Sequence, residues 1–238
     1  MTDRPIKGVL LDIDGTLLDS NDAHAQSWAE IFQRHGFDIP FDRVRPLIGK
    51  GGDKLLPELT GIDHESEKGK QLSGERKELF KRGYLPKLRP TRGARDLVKR
   101  LKEEGFGLVV ATSSSGEELD ALLGQANVDD LIGRATSADD GESKPDPDII
   151  QAALKKGKLR PEEALMIGDT PYDIEAAKRA GVATIALGCG GWWGDEALSG
   201  AVAVYDDPAA LLAALERSPL FSGRCASRAS GGRGGRPD

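Results

Sequence analysis

Short apolar runs alternate with stretches of helical periodicity along most of the chain. Ile6 to Leu11, Phe106 to Ala111, Leu165 to Ile167 and Val182 to Leu187 read as buried strands, with a weaker one at Ala201 to Tyr205. Between them, Ala94, Leu97, Val98 and Leu101 repeat at helical spacing, with Thr91 available as a cap and Gly105 as a stop. Ile174, Ala177 and Gly181 repeat in the same way after Pro171. This alternation predicts an α/β fold, a Rossmann-like, doubly wound parallel sheet with helices on both faces. Ligands of such sheets sit beyond the carboxyl ends of the strands.

Residues 18 to 89 break the rhythm. Trp28, Ile31, Phe32 and His35 mark a helix ended by Gly36; Leu55, Leu56 and Leu59 suggest a second, and Leu72, Leu79 and Phe80 a third. The segment reads as an inserted α-helical cap, leaving residues 1–17 and 90–216 as the catalytic core. Residues 217–238 read as a disordered tail, Gly-, Ser- and Arg-rich from Ser222.

Composition narrows the classes. The net charge of −6 is spread over interleaved acids and bases, which argues for a soluble protein without a nucleic-acid surface in its main body. No apolar run approaches the roughly 20 residues that cross a bilayer, and the N-terminus lacks a signal-peptide layout. Two cysteines, Cys189 and Cys225, make no disulfide framework and fit a cytoplasmic protein. The expected state is a monomer or homodimer.

Four predicted loops meet on one sheet edge. The first strand runs into Asp12 and Asp14, one residue apart and followed by Gly15 and Thr16. Two acids closing a buried strand require compensation. The second loop reads Thr112, Ser113, Ser114, Ser115, the third holds Lys144 in GESKPDPD, and the fourth is GDTPYD, with Asp169 and Asp173. Each of the last three has a structural alternative. Ser115 with Glu118 fits a capping box, Lys144 a solvated charge, Asp146 before Pro147 a helix start, and Pro171 with Asp173 a favourable first helical turn. Together, the carboxylates, lysine and hydroxyls suit a hard cation and a phosphate. Mg2+ prefers oxygen ligands, and a helix start offers N–H groups to an anion.

The constellation resembles the haloacid dehalogenase-like superfamily, in particular its phosphatases. DIDGT matches that family's DxDGT signature, and Thr112, Lys144 and GDTPYD follow in the family's order, over about residues 6 to 216. The resemblance implies Mg2+ and a small phosphorylated metabolite as substrate. It makes Asp12 the nucleophile and Asp14 the general acid and base, with the Asp14 carbonyl on the metal. Asp12, Asp169 and Asp173 join it as metal ligands, Asp169 by direct contact and Asp173 directly or through water. Lys144 neutralises charge. Thr112, Ser113, Gly15 and Thr16 become phosphate-side residues, Thr16 fixing the turn by its hydroxyl. A carboxylate approaching a phosphate dianion at ~4 Å meets about 8 kcal/mol of repulsion at an effective dielectric of ~20, which the cation and Lys144 must offset. Like charge nearby is expected to raise the Asp14 pKa.

LIGKGGDKLL, Leu47 to Leu56, resembles the cap loop of phosphoglycolate phosphatase-like members. It offers Gly51 to close backbone approach and Lys50 to a second anion, or else is a flexible turn with a solvated lysine. His24 reads as a substrate contact or a surface residue, Trp28 as cap core, and Trp192 and Trp193 as site rim or edge cover. β-Phosphoglucomutases share the motifs but carry an arginine near the position of Gly52. A dehalogenase would not need Asp14 or Asp169. A phosphoacceptor receiver would be about half this length, with no cap.

Overall fold

The structure, a computed structural model, describes residues 5–133 and 135–222. The first strand, β1 (Gly8–Leu11), is the centre of a six-stranded parallel sheet. The helices α1 (Asn21–Arg34), α2 (Phe41–Val44), α3 (Gly52–Thr60) and α4 (Glu67–Leu79) follow it before the sheet resumes. Then come α5 (Ala94–Glu103), β2 (Gly107–Ala111), α6 (Gly116–Gln125), β3 (Ala135–Thr136), α7 (Asp148–Gly157), β4 (Ala164–Gly168), α8 (Pro171–Arg179), β5 (Ala183–Leu187), β6 (Ala203–Tyr205) and α9 (Pro208–Ala213). The strand order is β3-β2-β1-β4-β5-β6.

Side-chain alternation on β1 builds both layers. Val9 and Leu11 pack with Leu97 and Leu101 of α5, Leu122 of α6 and Leu211 of α9. Leu10 points the other way, onto Ile149 and Ala153 of α7 and Ala176 and Ala177 of α8. The strand is therefore apolar at every position, as a parallel strand covered on both faces requires. Its end falls between the ends of β2 and β4, and the Asp12 N–H donates to the Ile167 carbonyl at 2.9 Å.

Helices α1 to α4 build a core of their own around Trp28, Ile31, Phe32, Leu55, Leu56 and Leu72. The chain leaves for these helices and returns at one place. Asp19 N–H donates to the Arg89 carbonyl at 3.0 Å, and Thr91 N–H to the Leu17 carbonyl at 3.1 Å.

Several local expectations change. Strand β3 has two residues and no periodic signature. Thr91 does not cap α5; Gly93, at φ 79°, holds that position, and the Thr91 hydroxyl donates to the Thr16 carbonyl at 2.6 Å. Ser115 forms no capping bond; its hydroxyl meets the Glu118 carboxylate at 3.2 Å. The chain stays folded beyond residue 216. Leu220 is fully buried, and Phe221 meets Phe106 edge-on at 5.9 Å. Apolar residues here outweigh the low-complexity sequence that follows. The rest of the predicted tail, with Cys225, lies outside the described residues. Among the described residues no helix is long and apolar enough to cross a membrane.

Candidate active site

The sheet topology brings all four predicted loops into direct contact. Lys144 is 1% exposed, and its Nζ donates to Asp12 Oδ1 and to Asp173 Oδ1, each at 2.6 Å. Its backbone N–H donates to Ser113 Oγ at 3.2 Å. The solvated-charge reading of Lys144 is thus replaced by a buried ammonium shared between two carboxylates. Asp173 keeps its structural part as well: its Oδ2 accepts from the Thr170 N–H and hydroxyl, closing the capping box of α8.

Asp169 sits beside this pair. Its Oδ1 accepts from the Thr16 hydroxyl at 2.9 Å, and its Oδ2 from Asn21 Nδ2 at 2.7 Å. Thr16 therefore reaches across to another strand end instead of fixing its own turn. Gly15 adopts φ 75°, and a side chain there would overlap Asn21 and the Asp169 carboxylate. Gly190, in the loop after β5, is confined in the same way by Asp169.

Asp12, Asp169 and Asp173 present buried carboxylate oxygens within 4.8 Å of one another. Three carboxylates against one ammonium leave two negative charges uncompensated. Burial first, then repulsion from Asp173, push Asp169 up to about 7. Burial likewise raises Asp12 well above the carboxylate range, with its acidic neighbours adding and Lys144 opposing. The same carboxylates hold Lys144 high despite its burial. This donor set fits a divalent, oxygen-seeking cation: the ligands are hard, the charge deficit is two, and the buried Asn21 Oδ1 beside Asp169 has no hydrogen-bond partner.

The carboxyl of Asp14 lies outside that cluster and behaves oppositely to expectation. Ser20 donates to its Oδ1 at 2.5 Å and Ser114 to its Oδ2 at 2.8 Å, while His24 Nε2 lies 2.9 Å from Oδ1. Burial would raise this carboxyl, but the His24 contact and the hydrogen bonds from His24, Ser20 and Ser114 outweigh it and hold it well below the usual range. The like charge of Asp12 does not decide the matter; donors do.

His24 is buried, stacked on Phe80 with ring centroids 4.0 Å apart, so it is not a surface residue. Its Nδ1 faces Arg76 Nη1 at 3.2 Å. A guanidinium only donates, so Nδ1 accepts and Nε2–H donates to Asp14. Arg76 of α4 also grips Glu118 of α6 through two bonds, at 2.9 and 3.3 Å. Sequence reasoning missed Ser20, Asn21, Arg76 and the Ser114 contact. Ser114 could have been singled out from its serine run, whereas the others carry no pattern beyond polarity.

A cavity of about 760 Å³ opens over these groups, lined on the core side by Asp12, Asp14, Thr112 and Ser113 and on the other by α3, α4 and the loop before α3. The Thr112 hydroxyl accepts the Ser114 N–H at 3.1 Å. Lys50 lines the cavity, but its Nζ pairs with Glu58 at 2.6 Å. The Gly51 N–H donates to Ser143 Oγ at 3.1 Å, tying the cap loop to the core. Asp146 takes no part in capping and instead receives Lys54 at 2.5 Å and Arg179 at 3.1 Å. Neither Trp192 nor Trp193 is among the described residues that line the cavity. Trp193 packs with Ile174, Ala186 and Leu198 and meets Tyr172 edge-on, and Trp192 lies under Arg45.

Residues 9–187 match the haloacid dehalogenase-like hydrolase family. The chain belongs to this family. Phosphoglycolate phosphatase of Vibrio vulnificus is 31% identical over 197 residues, covering 79% of this chain and 86% of that one. Pyrophosphatase PpaX of Halalkalibacterium halodurans is 29% identical over 192 residues, covering 77% and 84%. A hydrolase from Pseudomonas syringae has the same fold, with a TM-score of 0.82 and 29% identity over 89% of this chain and 98% of that one. As a haloacid dehalogenase-like hydrolase with relatives of this kind, the chain is an enzyme of the phosphatase class.

The charge deficit at the Asp12, Asp169 and Asp173 cluster sets a pH dependence. Asp169 and Asp12 bind protons more tightly folded than unfolded, so without metal the fold is most stable where they hold them. Stability then falls as pH rises from the ordinary carboxylate range through about 7. Asp14 has the opposite sign, contributing above that range and losing its contribution in acid. The Asp169 shift sets an upper bound on the order of 4 kcal/mol. Thermal unfolding with a chelator should therefore show a lower Tm at about pH 8 than at about pH 5, and Mg2+ should raise Tm more at the higher pH. An equal Mg2+ effect at both values would contradict this account.

Proposed function

We propose that the chain hydrolyses a small phosphomonoester with Asp12 as nucleophile, forming and then hydrolysing an aspartyl phosphate. The supporting observation is the Lys144 ammonium between Asp12 and Asp173. It aims Asp12 at the cavity floor and removes part of the repulsion that a phosphate dianion would meet.

Asp12, Asp169 and Asp173, with the Asp14 backbone, would hold Mg2+, which neutralises the charge that Lys144 leaves and polarises a phosphate oxygen. Thr112 and Ser113, at the end of β2, line the cavity where phosphate oxygens would lie. Asp12 attacks phosphorus and the P–O bond to the leaving alcohol breaks. Asp14 gives that oxygen its proton, then takes a proton from the water that cleaves the acyl phosphate. Because Ser20, His24 and Ser114 keep Asp14 ionised in the free protein, its first proton must come from a monoanionic phosphate, or from solvent once substrate displaces one of those donors and Asp14 becomes more basic. The enzyme would work in the cytoplasm on a soluble metabolite, as its two-cysteine content suggests.

Release of many equivalents of phosphate from p-nitrophenyl phosphate with Mg2+ tests the reading; a single stoichiometric phosphorylation would indicate a receiver-type switch instead. Asp14→Asn should lower turnover about a hundredfold or more and accumulate acid-stable, hydroxylamine-sensitive phosphoprotein. Unchanged turnover in that variant would remove the acid–base role.

A further inference from the structure

We propose that the side of the cavity facing the phosphate site selects an uncharged polyol as the leaving group and disfavours any leaving group bearing a second anion. The inference rests on the phosphatase reading and narrows its substrate class.

The first support is the charge of the lining. Apart from Asp12 and Asp14, the described residues around the cavity include seven carboxylates against four cations, namely Lys50, Lys54, Arg76 and Lys77. Counted over the lining alone this is a surplus of three negative charges, with Glu65 also paired to Lys70 at 3.0 Å just outside it. The cations are also engaged. Arg76 grips Glu118 through a pair whose side chains are 10% and 8% exposed, and Lys50 sits on Glu58. Lys54 bonds Asp146 at 2.5 Å, and Lys77 faces Glu117 at 3.8 Å. A carboxylate or second phosphate entering here would have to displace an acid from its partner and still meet the surplus.

The second support is hydrogen-bonding capacity left open on α4. Ser73 and Arg76, three residues apart, both line the cavity. Ser73 Oγ and Arg76 Nε are buried and have no hydrogen-bond partner. A hydroxyl both donates and accepts, so a polyol can satisfy a serine hydroxyl and a guanidinium N–H in turn, and can donate to the surrounding carboxylates. At about 760 Å³ the cavity has room for an alcohol of sugar size.

The test is a comparison of kcat/KM with Mg2+ for matched monoesters. Glycerol 3-phosphate and 3-phosphoglycerate differ only by a terminal hydroxymethyl against a carboxylate, and glucose 6-phosphate is set against glucose 1,6-bisphosphate, with p-nitrophenyl phosphate as reference. The uncharged member of each pair should be preferred by about tenfold, less at high salt. Ser73→Ala should raise KM for glycerol 3-phosphate several-fold with little change in kcat and little effect on p-nitrophenyl phosphate. The double variant Glu65→Gln, Glu142→Gln, at two exposed lining acids, should shrink the preference at least about threefold. Equal or faster hydrolysis of 3-phosphoglycerate or the bisphosphate would overturn the proposal and leave the phosphatase reading standing, and an inert Ser73→Ala would also overturn it. No turnover of any ester, p-nitrophenyl phosphate included, would remove both.

Discussion

Asp12→Asn should abolish turnover and, at the same time, make the metal-free protein more stable. An amide is no nucleophile toward phosphorus, so kcat should drop by about a thousandfold or more. Yet Asp12 is a buried acid held above its ordinary pKa by burial and by Asp173, Asp169 and Asp14. Removing it relieves repulsion and leaves Lys144 paired with Asp173 at 2.6 Å. The gain should be largest at about pH 8, where the wild-type cluster has lost its protons, and should appear as a Tm rise of a few degrees in chelator. Mg2+ should stabilise this variant less than wild type. A variant that loses both activity and stability would show that the cluster is held together by Asp12 and not strained by it. Activity here comes at the expense of stability, as at many charged sites.

The second large effect concerns Lys144. Lys144→Met removes the one cation in contact with Asp12 and Asp173 among the described residues, and leaves three buried carboxylates facing each other. Breaking a buried ion pair from one side costs about 3–5 kcal/mol, because the remaining charge stays uncompensated. Denaturant unfolding at about pH 8 should show a loss of that order, partly recovered at about pH 5 as the acids take up protons. Phosphate release should fall by about a hundredfold or more and should not recover in acid. Stability within about 1 kcal/mol of wild type together with turnover within tenfold would sink the charge argument. Methionine matches the stem of lysine well enough that packing alone would not produce the loss.

The convergence of Asp12, Asp169 and Asp173 was readable because they follow strand ends in a parallel sheet, and topology alone brings strand ends together, whereas Lys144, which follows the unpredicted β3, was placed by the family resemblance. The helical insert was readable from periodicity. What was hidden depends on contacts between distant residues. Thr16 and Asp169 are bonded across 153 positions, and Asn21 and Asp169 across 148, and neither pair leaves a periodic trace. Thr91 and Ser115 have the residue types and positions of caps, yet their hydroxyls found other partners, the Thr16 carbonyl and the Glu118 carboxylate. The sign of the Asp14 shift was misjudged because counting charges ignores Ser20, His24 and Ser114, whose donors matter more. β3 was missed because two residues are too few for any pattern to emerge.

The bonded neighbours Asp19 and Arg89 bring the two ends of the helical segment together, so the backbone enters and leaves it at one place. Its length and contents can change by mutation or recombination without shifting the register of β1 against β2 and β4. Because Ser20, Asn21 and His24 at its start hold Asp14 and Asp169, a lineage that traded this insert for another could acquire a new diet only by keeping that first turn beside the acids.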